Sequence, residues 1–372
     1  MKQTPLIYEA TKTAIDGYAL GGLPDAISCT VTEELNGDFS LDMTYPAGGT
    51  NADLIVIGRI IAAMPNPYGN LQGFRIETIE KTLAGTMTIY AQHVSMDLSN
   101  IVLSSFGGNI SLALTLTFLA SKANPANSFT FDTDLDSTQR GDCTFIPLKS
   151  AREVMLSQEN SVAKVFGGEW KFDNWKATLT HRGMARNVQI AYGKNLTGFT
   201  EKDLLGGYDA IYPFAQYQSE SAFNWLEITD TSVCPTAPLV YVNGTGSTYG
   251  FPRVRLVDLS NYFQDFSTDP PSSSTLYAAA RNYIQLNSGA STASLSSDFV
   301  DLAKILGDTE RIELGDTLYI TVPSFSISNL VTRVVSITYD CLLDQNTSIV
   351  TGDKKVTLAD TLAELMGAQS SR

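Results

Sequence analysis

A chain of 372 residues with 43% hydrophobic and only 17% charged side chains has room for about two to three domains, which bury roughly 75% of their unfolded surface. Its formal net charge of −14 and pI near 4.6 set it against phosphate backbones, and no cluster of Lys and Arg opposes that average, so sequence-specific nucleic-acid binding is disfavoured. The four cysteines, Cys29, Cys143, Cys234 and Cys341, lie 114, 91 and 107 residues apart; without a Cys-x-x-Cys pair or dense spacing they read as reduced, buried small hydrophobes.

In chain order, residues 1–16 lack the apolar core of a signal peptide. Residues 1–96 predict a run of short strands at 27–31, 40–45, 55–62, 73–80 and 86–93, each broken by Gly, Pro or Asn, which is barrel or sandwich vocabulary. The stretch 98–121 is uncharged, but its Ser, Asn, Gly and Thr argue against a membrane helix. No membrane insertion is expected, and a soluble protein made in the cytoplasm is the plain expectation.

Residues 109–123 fit either period: Leu112, Leu114, Leu116 and Phe118 alternate like a strand, while Leu112, Leu116, Leu119 and Ala120 share a helical face. The segment 150–166 predicts a helix, with Ser150 and Glu153 as a capping box and Gly167-Gly168 as its stop. A hairpin around Asp173-Asn174 over 170–180 and a strand at 187–192 follow. The block 97–200 thus reads as an inserted α+β domain.

Strands are expected again at 208–220 and 225–229, and then at 254–258. Residues 243–250 read as a loop. A helix over 273–285 would place Leu276, Ala280, Tyr283 and Ile284 on one side, and the Ser-rich 287–297 reads as flexible. The end of the chain is an antiparallel meander. Leu318, Ile320 and Val322 alternate with Tyr319 and Thr321 before Pro323 closes the strand. In 331–339, Val331, Arg333, Val335, Ile337 and Tyr339 share one face, with Val334, Ser336 and Thr338 on the other. A turn at 344–346 leads to a last strand, and 358–366 predicts a short amphipathic helix.

Chemistry is sparse. His93 and His181 lack any ligand spacing. Asp132, Asp134 and Asp136 start like a calcium loop, but Ser137 and Cys143 stand where Gly and Glu are needed. Gly244 and Gly246 lack the Lys of a phosphate loop. The aromatic sets Trp170/Phe172/Trp175 and Tyr212/Phe214/Tyr217 suit a sugar face, and suit a core or a subunit contact better. No catalytic, cofactor-binding or metal-ligating residue is assigned, and no cofactor is implied.

Three stretches carry a resemblance. They are Phe74-Arg75-Ile76 with Ile79-Glu80-Lys81 and Ile89-Tyr90-Ala91-Gln92-His93; His181-Arg182-Gly183 with Ile190-Ala191-Tyr192-Gly193-Lys194-Asn195-Leu196; and Leu314-Gly315-Asp316-Thr317, followed by Arg333-Val334-Val335-Ser336-Ile337-Thr338-Tyr339-Asp340 and Leu342-Leu343-Asp344. In this order they resemble the tail-tip or baseplate hub family of bacteriophages, also called tail-associated lysin or "prophage endopeptidase tail" protein. The resemblance implies a mainly β fold with α+β insertions, in which both chain ends build barrel-like hub domains. The division would be 1–96 for the first barrel part, 97–200 for the α+β insertion and 201–234 for a return to barrel strands. A second insertion would occupy 235–306, the last barrel part 307–351, and a C-terminal tail 352–372.

The implied role is structural. A homotrimeric ring would close the distal end of a phage tail tube and join the distal tail protein to the tip. It would also touch the C-terminus of the tape-measure protein and neighbouring receptor-binding proteins, and DNA would pass its acidic channel without specific binding. In longer relatives wall-degrading activity belongs to domains fused after the hub. This chain runs only 22 residues past Val350, so no enzyme is expected. The alternatives are a tail-associated cell-wall hydrolase and a carbohydrate-binding adhesin module.

Overall fold

The computed structural model describes residues 4–104, 108–143, 149–156, 161–203, 208–219, 222–242, 250–251, 253–259, 272–287, 293–325 and 327–352. The fold is mainly β, and it divides into two compact units, 1–200 with 295–352 and 201–294.

The first unit is organised by one large sheet. Its strand order is Leu196–Asp203, Ala293–Phe299, Gln345–Gly352, Ile327–Asp340, Ser28–Glu34, Phe39–Pro46, Thr86–His93, Gln72–Lys81, Ile60–Ala63, Leu6–Tyr8 and Gly21–Gly22. Both chain ends therefore build the same barrel-like sheet: Ser28–Glu34 pairs antiparallel with the second half of Ile327–Asp340, from Glu34 opposite Ser336 to Thr30 opposite Asp340. The first half of that 14-residue strand pairs instead with Thr317–Val322, which takes Ala185–Ala191 as a parallel neighbour. One strand thus serves two hydrophobic cores. Tyr339 packs with Val31, Leu41, Phe74 and Ile89 at one end, and Val334, Val335 and Ile337 pack with Val188, Ile190, Leu318 and Ile320 at the other.

Alternation explains most of the sheet. Thr317–Val322 buries every second residue, Leu318, Ile320 and Val322, as expected for a strand with one covered face. Ile60–Ala63 is buried at all four positions: Ile61 and Ala63 face the first core, while Ile60 and Ala62 face a third cluster. A strand covered on both sides carries a continuous apolar run. The expected strand at 55–62 starts late, because Ala52–Leu54 turns as a 3-10 helix and Gly58 takes φ +85°. In 331–339, Val334, Val335, Ser336 and Ile337 are all buried, so both faces are covered where the strand crosses from one core to the next.

The third cluster lies under the helices. Leu112–Ser121 is helical after a three-residue strand, and Ser111 accepts the Leu114 amide as its cap. The expected helix over 150–166 is two helices in the described residues, Ala151–Leu156 and Val162–Phe166. Its capping box is present: Glu153 Oε2 accepts from the Ser150 amide at 2.8 Å, and Ser150 Oγ accepts from the Glu153 amide at 3.2 Å. Trp170 is fully buried there and donates through Nε1 to the Met155 carbonyl at 3.1 Å. The hairpin of Glu169–Asp173 and Lys176–Thr180 turns at Asn174, φ +52°. It is fastened to the sheet: Asn174 Oδ1 accepts the Gly73 amide at 2.8 Å, and the Asn174 amide donates to Gln72 Oε1 at 2.7 Å. The 97–200 block falls in the same compact unit as the barrel strands.

The second unit has its own sheet. Ala210–Ser219 pairs antiparallel with Ala222–Glu227 and Val240–Tyr241, and parallel with Val254–Asp258. These strands were expected to rejoin the barrel over 201–234; they pair with one another instead. The helix Ser273–Asn287 covers one face, burying Leu276, Ala280, Tyr283 and Ile284 against Ile211, Ala215, Val240 and Val257. Each buried Leu, Ile or Val there contributes about 1.5–3 kcal/mol by leaving water. The barrel sheet resumes earlier than 307, because the Ser-rich stretch expected to be flexible contains the strand Ala293–Phe299, with Ser297 buried. The expected 358–366 helix and the Gly244/Gly246 loop lie outside the described residues.

Candidate functional site

The most elaborate polar cluster of the first unit forms where two of the resembling stretches meet, and it is built from arginines and carboxylates. Gly183, φ +79°, and Gly315, φ +93°, approach so closely that a Cβ on Gly183 would lie 2.0 Å from the Gly315 carbonyl carbon. No side chain fits there, and the left-handed φ favours glycine as well. The His181-Arg182-Gly183 turn is thereby pressed onto the Leu314-Gly315-Asp316 turn. Asp316, 1% exposed at its side chain, serves both turns. Its Oδ1 accepts the Met184 amide at 2.8 Å, and its Oδ2 accepts the Glu313 amide at 2.8 Å and Arg186 Nε at 2.9 Å.

Arg333 closes the junction from the long strand. It donates to Gly315 O at 2.9 Å, to Arg182 O at 2.8 Å and to Glu169 Oε1 at 2.7 Å. Arg182 in turn donates its amide to Glu169 Oε2 at 3.0 Å and its guanidinium to Glu33 Oε1 at 2.6 Å. Glu313 bridges Arg186 and Arg311 at 3.0 and 2.6 Å. Burial pushes the Glu169 carboxyl up, but the Arg333 guanidinium and the Arg182 amide outweigh it and hold the group below its ordinary value. Each carboxylate here has a cation or amide donor, the arrangement that makes burial of charge tolerable. The cluster locks strands from both chain ends to the hairpin at 169–180.

His93 is fully buried, stacked on Phe39 at 4.2 Å, and bonded to Gln72 and the Ser95 amide. Burial, with a contribution from Arg152, lowers its pKa to about 3. His181 is exposed. Asp132 pairs with Lys176 at 3.1 Å, Asp134 accepts Thr180 Oγ1 at 2.6 Å, and Asp136 accepts the Thr138 amide and hydroxyl. This is a turn satisfied by its own neighbours. No group of three metal-ligating side chains stands together among the described residues.

The four cysteines are buried. Cys29 and Cys341 meet across neighbouring strands, the Cys341 amide donating to Cys29 O at 2.9 Å. The hydrogen bond with Cys341, and then burial, push the Cys29 thiol well above its ordinary value. Trp170 and Trp175 are core residues, whereas Tyr212 and Phe214 lie on the second unit's sheet. The Tyr217 side chain lies outside the described residues. Sequence reasoning missed Glu33 and Glu169, the acceptors of the junction; the one signal was Arg333, a cation inside a run of β-branched residues.

No family model and no curated protein sequence matches the chain. Solved structures do match its fold. A prophage tail protein from Listeria monocytogenes superposes with a TM-score of 0.57 at 13% identity, covering 99% of this chain and 100% of that one. The 43 kDa tail protein of prophage MuSo2 from Shewanella oneidensis gives 0.59 at 10% identity over 94% of this chain and 98% of its own. A tail protein from Neisseria meningitidis gives 0.58 at 8% identity, covering 94% and 96%. The chain has the fold of phage tail proteins, and the likeness runs over nearly its full length.

Proposed function

We propose that this chain is a non-enzymatic structural component of a phage or phage-tail-like particle, the hub of its tail tip or baseplate. The observation that carries the reading is the extent of the likeness: three tail proteins match 94–99% of this chain with 96–100% of their own. That favours a shared architectural role over one borrowed module. In this role three copies form a ring at the distal end of the tail tube, with heterologous contacts that close on themselves. The distal tail protein lies above the ring, the tape-measure C-terminus enters it, and receptor-binding proteins flank it. The ring is assembled in the host cytoplasm and carried on the virion. A net charge of −14 suits a wall past which DNA slides without sticking.

Negative-stain imaging of the purified protein, classified by symmetry and paired with light scattering, tests this. A threefold particle with a central lumen and the mass of three 40.3 kDa chains is expected, alone or once the distal tail protein is added. A compact monomer in both conditions would sink the hub reading. A cleared zone in a peptidoglycan zymogram would overturn the non-enzymatic part in favour of a wall hydrolase.

A further inference from the structure

The sheet of the second unit has two unlike faces. One is covered by the helix Ser273–Asn287. The other mixes aromatic and apolar residues with polar ones. Paired residues share a face, and the register places Tyr212 beside Leu256, Ala210 beside Val254, Phe214 between Glu227 and Asp258, and Trp225 beside Gln216. Trp225 lies two residues before Glu227 on the same strand and face. Trp225 is 61% exposed and Leu256 67% exposed. The rings of Phe214 and Trp225 stand 5.3 Å apart and tilted by 45°, so they form an open corner rather than a closed stack. Beside them the Glu227 carboxylate pushes the Tyr212 hydroxyl above its ordinary pKa.

From this juxtaposition we infer that the Tyr212, Phe214, Trp225 and Glu227 face is a carbohydrate-binding platform for the pyranose rings of a neutral polysaccharide. The apolar C–H face of a pyranose lies against the exposed rings, as apolar bodies do on aromatic faces. Its hydroxyls donate to the Glu227 carboxylate that sits among those rings. The carboxylate decides between this occupant and an apolar protein surface. Interface cores are depleted in charge, and pressing an apolar partner onto this face would desolvate the Glu227 anion and the Asp258 anion that shares the face. A polyol brings the missing donors with it. Val254 and Leu256 border the platform on its far edge and give the sugar chain an apolar margin. The inference concerns this face alone and stands or falls separately from the tail-hub reading.

Trp225 makes the test simple, because the other two of the three tryptophans, Trp170 and Trp175, are buried. The full-length protein is titrated with chitohexaose, cellohexaose and maltohexaose while tryptophan emission is followed. A saturable blue shift with at least one of them is expected. Trp225→Ala should abolish it, and Glu227→Gln should weaken the apparent affinity by about tenfold, the worth of a hydrogen bond to a charged group. Both side chains are on the surface, so circular dichroism and melting temperature should stay as in the parent and certify the fold. An unchanged spectrum with all three sugars overturns the proposal. So does a blue shift already present without sugar that disappears, together with self-association, in Trp225→Ala, since the face would then be a contact between copies.

Discussion

At the scale of single residues, the Gly183–Gly315 contact and the buried His93 carry most of the risk. Gly183→Ala would need a methyl 2.0 Å from a backbone carbon and a φ of +79°. The left-handed backbone alone costs about 1–2 kcal/mol, and the clash adds to it because backbone cannot step aside as a side chain does. Denaturant unfolding should show a loss of more than about 2 kcal/mol, or a protein that fails to fold. His93 makes stability depend on pH. Its folded pKa of about 3 lies below the value near 6.5 of an unfolded histidine. Above about pH 6.5 both states are neutral and the native state is unpenalised; as pH falls toward 3, only the unfolded chain takes the proton. Acidification from pH 7.5 to 5.0 should therefore cost about 2 kcal/mol through this residue. Urea melts at the two pH values, compared with those of His93→Gln, check it; an equal pH dependence in the variant would refute the assignment.

At the scale of elements, Arg333 ties the long strand to two turns and a hairpin. Arg333→Met keeps much of the apolar stem but removes the donor that the Gly315 and Arg182 carbonyls and Glu169 Oε1 receive from Arg333. A destabilisation of about 2–4 kcal/mol is expected, because hydrogen bonds to charged groups contribute about 1.5–3 kcal/mol each. Arg333→Lys should recover only part of it, since an ammonium lacks the fork that reaches three acceptors; full recovery would show that charge alone matters. The capping box gives a smaller effect. Ser150→Ala should cost about 1 kcal/mol, read from the same melts.

The elements also show what local sequence can reveal. The helix at 273 was legible because Leu276, Ala280, Tyr283 and Ile284 recur at helical spacing. The 173–174 turn was legible because Asp-Asn chemistry admits a positive φ. The boundary at Ile60 was not, since the 3-10 turn before it is set by packing rather than by residue type. Nor was the strand at 293–299, where a serine-rich composition hides a segment that neighbouring strands hydrogen-bond into place.

At the scale of the whole molecule, net charge and unit structure make separate predictions. A chain of −14 should not retard duplex DNA in a gel even at about 50 mM salt, where phosphate contacts are strong; a retained band would contradict a wall past which DNA slides. The second unit has its own core of Ile211, Ala215, Val257, Leu276 and Ile284. A fragment spanning 201–294 should therefore melt cooperatively by itself, as domains with their own cores do. A featureless melt would show that it depends on the rest of the chain.

The sequence by itself determined the strand-rich class, the helical spacing of Leu276, Ala280, Tyr283 and Ile284, the burial of the cysteines and the order of motifs that resembles phage tail hubs. Those properties are written locally, in alternation, turn residues and charge. Only the tertiary structure decided that Glu33, Glu169 and Asp316 answer Arg182, Arg186 and Arg333, that one 14-residue strand serves two cores, and that Trp225 stands with Tyr212 and Phe214 on an open face. Such partners lie up to 164 residues apart, and no local period records which strand will lie beside which. The choice is made by pairing and packing, when each buried charge must find its counter-charge and each apolar face its cover.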